Sequence, residues 1–172
     1  RRINYPIVML CAGLLVLNLA VRHFFTPGLP PGTSIAEVAG GLGPEGDNLR
    51  RILQQHQLTV LAFFETWCVP CRVELPELEK LAAAHPGADL AVVGIYGPSS
   101  ASNVEAFAAR LGLHFTLWQD AGGQLARALG IDGVPTAVVV DAKSEVVQTV
   151  RGLDPDLSTK ISALLAARAE PS

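Results

Sequence analysis

Trp67-Cys68-Val69-Pro70-Cys71 stands where the apolar run Leu58–Phe64 gives way to a segment of helical periodicity. That junction constrains the chain more than any other stretch. Two thiols three positions apart, with the first at a helix start, can cycle between dithiol and disulfide. A helix N-terminus presents unpaired N–H groups and a partial positive charge, and both favour a thiolate. The thiolate is the attacking species in disulfide exchange. The fold must therefore hold a buried strand, a tight turn and a helix in that order.

The third cysteine, Cys11, lies in a stretch without charge over residues 3–21, flanked by Arg1 and Arg2 before and Arg22 and His23 after. Nineteen helical residues extend about 28 Å, close to the thickness of a bilayer core. Cys11 reads there as a small apolar residue. No small-x-small cleavage site follows the run, so residues 1–25 read as a retained membrane anchor rather than a cleaved leader. The flanking charges place the N-terminus in the cytoplasm and the rest outside. Residues 26–34 carry Pro27, Gly28, Pro30, Pro31 and Gly32 and read as a tether. Residues 35–172 form the expected domain.

Without Arg1, Arg2 and Arg22 the chain has ten basic residues against sixteen acidic ones. A balance near −6 argues against nucleic acid as a partner. Cys68 and Cys71 are the only cysteines of this part, so no structural disulfide competes for them. His23, His56, His85 and His114 show no ligand spacing, and one cysteine pair does not make a four-ligand zinc site.

Residues 35–46 are Gly-rich and weakly patterned, without an assigned element. Asp47 is the expected N-cap of a helix to about 57. Leu58–Phe64 reads as a parallel strand buried on both faces. A helix is expected over 68–85, with Leu75, Leu78 and Leu81 inward, Glu74, Glu77, Glu79 and Lys80 mostly outward, and a kink at Pro76. Further strands are expected at 88–96, 114–119, 136–141 and 145–150, the last two as a hairpin around Ala142-Lys143-Ser144. Further helices are expected after a cap at Ser102, at 123–129, and at 154–168 with Leu157, Ile161, Leu164 and Leu165 on one face. The order implies an α/β domain, a mixed sheet with helices on both faces.

Two separated motifs carry a resemblance over about 58–167. One is Phe63-Phe64-Glu65-Thr66-Trp67-Cys68-Val69-Pro70-Cys71; the other is Gly133-Val134-Pro135-Thr136 just before a strand. Together they resemble the thioredoxin fold. The apolar N-terminus, Cys71-Arg72-Val73-Glu74-Leu75-Pro76, and an additional helix and strand over about 102–119 resemble the membrane-anchored TlpA/ResA/CcmG (DsbE) group within it. The resemblance implies a thiol–disulfide oxidoreductase outside the cytoplasm, without a cofactor beyond the cysteine pair. Its targets would be disulfides of exported proteins, such as apocytochrome c or copper-site cysteines. Its electrons would come from a DsbD/CcdA-type transmembrane protein.

The site residues follow. Cys68 is the nucleophile and the more exposed sulfur; Cys71 resolves the mixed disulfide. The resemblance implies a cis peptide before Pro135, which leaves the Val134 peptide to pair with an extended target segment. Trp67 covers one side of the site. Val69 adds no charge, and Pro70 removes an N–H near Cys68. Thioredoxin has a buried Asp where this chain has Ala62, so Glu74, one helical turn after Cys71, is the candidate proton carrier. Glu65 departs from the small residue common at its position and either approaches the site or points into water. Reduction is the expected direction, with oxidation or isomerisation as alternatives. A different class, a Cu(I)-handling assembly module using the two thiolates, lacks a Met- or His-rich tract.

Overall fold

The computed structural model describes residues 34–169. The anchor and most of the tether lie outside the described residues. Among those described, no helix is long and apolar enough to cross a membrane.

Five strands form one sheet in the order β3-β2-β1-β4-β5. They are β1 Leu58–Phe64, β2 Leu90–Tyr96, β3 Thr116–Gln119, β4 Thr136–Asp141 and β5 Val146–Arg151. β1 lies in the centre, parallel to β2 and antiparallel to β4. Successive strand side chains point to opposite faces, and β1 is apolar on both. Leu58, Val60, Ala62 and Phe64 belong to one core; Leu61 and Phe63 belong to the other. This explains the near-continuous apolar run in the sequence.

The first core is covered by α3 Cys71–Ala84, α4 Ala101–Leu111 and α6 Leu157–Ala169. Leu75, Leu78, Val104, Phe107, Leu157 and Ile161 pack there, and Phe64 stacks on Phe107 with ring centroids 5.7 Å apart. The second core is covered by α1 Ile35–Gly40, α2 Gly43–Gln55 and α5 Gln124–Ala128. The mixed sheet with helices on both faces is the thioredoxin-like architecture expected from the motifs. The segment expected as an addition forms α4 and β3, which sets β3 at the sheet edge, parallel to β2.

Several elements differ from the sequence expectation. The stretch left without an element holds α1 and the start of α2. Ile35 and Ala39 are fully buried, and a Cβ on Gly46 would meet the Ala39 carbonyl oxygen at 1.9 Å. The glycines permit a close helix–helix approach, so tertiary packing forms α1 where local propensity does not. Asp47 lies inside α2 rather than capping it and pairs with Arg50 at 3.3 Å. The helix after β1 starts at Cys71, not at Cys68. It continues through Pro76 as one element. Ser100, not Ser102, caps α4, its Oγ accepting from the Asn103 N–H.

Candidate active site

β1 ends at Phe64, and the chain turns once before α3. The Glu65 carbonyl accepts the Cys68 N–H at 3.0 Å, which closes that turn. Cys68 and Cys71 form a disulfide with Cα atoms 5.4 Å apart. The Cys71 N–H, at the first position of α3, donates to the Cys68 sulfur at 3.2 Å. The amides of Arg72 and Val73 are taken by the carbonyls of Val69 and Pro70. The first helical N–H is thus aimed at the sulfur expected to be the nucleophile. Pro70, at the N-cap, has no N–H to compete.

Exposure at the site differs from expectation. Cys68 retains 2% of its surface and Cys71 none, so the two sulfurs hardly differ. Both belong to the first core. The exposed groups are their neighbours, Trp67 at 68% and Val69 at 66%. Together they give the turn an apolar outer surface.

The sheet brings the second motif to the first. In the β1–β4 ladder Phe63 pairs with Thr136, so the residues before β4 lie beside the residues after β1. The Val134–Pro135 peptide is cis. The loop is held by Thr136 Oγ1 donating to the Gly133 carbonyl at 2.8 Å. The Gly152 N–H donates to the Pro135 carbonyl at 2.9 Å. Val134 is half-buried and packs against both cores. The structure thus gathers Trp67, Cys68, Val69, Pro70, Cys71, Val134 and Pro135 at one end of β1 and β4.

Glu74 sits one turn after Cys71, on the buried side of α3 rather than outward. It is 5% exposed, and its Oε2 has no hydrogen-bond partner. Burial, and then the charge of Asp154, push its carboxyl up from 4.5 to about 7; the Asp154 backbone N–H opposes them. Asp154 in turn is paired with Lys160 at 2.5 Å. The Asp154 carboxyl is held below its usual range by the Lys160 and Asp156 hydrogen bonds. A buried acid titrating near neutrality can both take and give a proton.

Glu65 neither points into water nor is unpartnered. It is buried; its Oε1 accepts from the Gly97 N–H at 2.8 Å and its Oε2 from Ser99 Oγ at 2.7 Å. It ties the turn after β1 to the loop after β2. Sequence reasoning missed this anchoring, and missed Asp154, because both depend on a loop from a distant part of the chain. Among the described residues, no group of three or more His, Cys, Asp or Glu is placed to hold a metal ion.

Comparison with known proteins agrees with this geometry. The model of the AhpC/TSA family matches residues 45–149. Sporulation thiol-disulfide oxidoreductase A of Bacillus subtilis is 32% identical over 111 residues, 63% of this chain and 67% of that protein. Thiol:disulfide interchange protein HelX of Rhodobacter capsulatus is 30% identical over 132 residues, 75% of this chain and 73% of that protein. Among solved structures, StoA from Bacillus subtilis superposes with a TM-score of 0.54 at 27% identity, over 65% of this chain and 82% of that one. The chain belongs to the AhpC/TSA family, among its thioredoxin-like thiol–disulfide oxidoreductases.

Proposed function

We propose that this protein is a membrane-anchored reductase of disulfides in exported proteins. The carrying observation is the Cys71 N–H aimed at Cys68 Sγ. After reduction of the pair, the same N–H and the α3 dipole stabilise negative charge on that sulfur. Cys68 is then the thiolate at rest, and Cys71, one helical turn before Glu74, is the protonated partner.

In the forward direction the Cys68 thiolate attacks one sulfur of the target disulfide. A bond forms between Cys68 and the target, and one target sulfur leaves as a thiolate that takes up a proton. Glu74 accepts the proton of Cys71. The Cys71 thiolate attacks Cys68 Sγ, which closes the Cys68–Cys71 disulfide and releases the second target sulfur, which is also protonated. Two electrons pass from this protein to the target, carried by the cysteine pair alone. Val134 and Trp67 border the space in which the target segment lies, and an extended segment can pair with the Val134 peptide.

Each cycle leaves the pair oxidised, so a reductant must restore it. A transmembrane electron donor of the DsbD/CcdA type supplies that need outside the cytoplasm. The apolar segment 3–21 supports the location, and it limits targets to those near the membrane. Apocytochrome c and copper-site cysteines are the target classes that the family relationship supports.

The test is the reduction potential of the Cys68–Cys71 couple, by equilibration of the full chain in detergent with thiol buffers. A value near −270 mV, roughly that of thioredoxin, supports the reductase; a value near −120 mV, roughly that of a strong oxidant, overturns it.

A further inference from the structure

A cleft of about 340 Å³ is lined by Trp67 of the cysteine turn and by Gly133 and Val134 of the cis-proline turn. Its walls are apolar: Trp67, Tyr96, Pro98, Ile131 and Val134. Trp67 is the residue before Cys68, and Val134 the residue before Pro135, so the cleft shares its rim with the site. Its charged lining is of one sign. Glu65, Asp120 and Asp132 contribute, and no Lys, Arg or His does. Asp132 is matched by Arg151 at 2.6 Å. Glu65 and Asp120 form no ion pair among the described residues. The Asp120 oxygens accept from the N–H groups of Leu125 and Ala126 at 2.9 and 2.8 Å. Each oxygen of both carboxylates thus has one donor, and each retains acceptor capacity.

We propose that this cleft receives a lysine or arginine side chain of the target, one or two residues from the cysteine under attack. The inference rests on the thiol–disulfide reading of the site and names what that site selects. The stem of such a side chain is apolar and fits walls of Trp67, Tyr96 and Val134, while its head needs acceptors. A purely apolar occupant would leave these two buried carboxylates without a countercharge, which is unfavourable. An acidic occupant would add a like charge. A cation satisfies both walls and floor, and the single-signed cleft also draws it in. Glu65 is the specificity-determining residue, because the turn that positions its carboxylate also holds Cys68 through the Glu65 carbonyl.

The test uses the reduced full chain and four synthetic peptides, each with one disulfide. They differ only in the residue beside the attacked cysteine, which is Lys, Arg, Leu or Glu. Second-order rates of peptide reduction are measured at low and high salt. The Lys and Arg peptides are expected to react about tenfold faster than the Leu peptide, the worth of one charge-assisted contact, with Glu slowest. The advantage should shrink at high salt. In Glu65→Gln the ratio of Lys to Leu rates should fall to within about twofold, that contact having lost its charge. Equal rates for all four peptides overturn the cleft while leaving the oxidoreductase reading in place. No reduction of any peptide overturns both. The peptide comparison requires no variant, so a misfolded Glu65→Gln would not obscure it.

Discussion

The Glu74 carboxyl, buried one helical turn after Cys71, faces the charge of Asp154, which Lys160 holds in place. Two carboxylates on different elements, one buried on α3 and one half-buried in the loop before α6, thereby act on each other. Burial is the larger cause of the raised Glu74 pKa and Asp154 the second. This sets how stability depends on pH. Between the ordinary carboxylate range and about 7, the folded protein holds a proton on Glu74 that the unfolded chain has released. Stability is then fully present at low pH and falls as pH rises through that window. A shift from 4.5 to about 7 corresponds to roughly 3 kcal/mol. Urea unfolding of the oxidised protein at pH 5 and pH 8 should show this loss, and Glu74→Gln should flatten it. An unchanged slope in Glu74→Gln would show that Glu74 is not its source.

Asp154 can be separated from burial. Asp154→Asn removes its charge but keeps the backbone N–H and the desolvation of Glu74. The Glu74 pKa should fall yet stay above 4.5. Lys160→Met leaves Asp154 unpaired and should raise it. Carbon-detected titration of the labelled carboxyl reads both shifts directly. Movement in the same direction in both variants would contradict the coupling.

In the proposed mechanism, the proton carried by Glu74 matters most for the second chemical step. In Glu74→Gln, the Cys71 thiol lacks its acceptor, so the mixed disulfide between Cys68 and a target should accumulate. Its resolution should slow by about a hundredfold at pH 7, the low end of what a positioned base contributes. The inflection near neutrality should vanish from the pH profile of that step. Acid quench and mass measurement of the trapped species reads the effect. Normal resolution with an intact inflection would remove Glu74 from proton transfer.

Much of this was legible in the sequence because the signals are local. Strands β1 and β4 coincide with the apolar runs, since β1 is buried throughout and β4 up to its last residue, Asp141. The cysteine pair and Pro135 carry their chemistry in their own side chains and spacing. What the sequence hid is set by distant partners. α1 exists because Gly46 lets it pack on α2. The spacing marked Glu74 as a proton carrier and left Glu65 open, but only the fold shows that Glu65, Glu74 and Glu79 are each held by a loop more than 30 residues away.

Ser100 and Ser102 illustrate the local limit. Either serine could cap α4 by spacing; the structure chooses Ser100. Ser100→Ala should destabilise the protein by about 1 kcal/mol, as for a lost cap, and Ser102→Ala by a few tenths at most. Thermal or urea unfolding compares them. Equal effects would place the cap elsewhere.

Glu79 holds the edge of the sheet. One of its oxygens accepts the N–H groups of His114 and Phe115, at 2.8 and 3.2 Å, and the other lies 3.1 Å from His114 Nδ1. These amides precede β3, the edge strand, and have the α3 carboxylate as partner in place of a ladder. Glu79→Ala should leave the Phe115 N–H, which is half-buried, unsatisfied and cost about 1–3 kcal/mol. The Glu79→Gln side chain keeps an acceptor oxygen and should cost less. Amide exchange should rise at residues 114–119 before it rises in β1. Uniform destabilisation, with exchange in β1 and β3 rising together, would mean that Glu79 supports the whole core and not this edge.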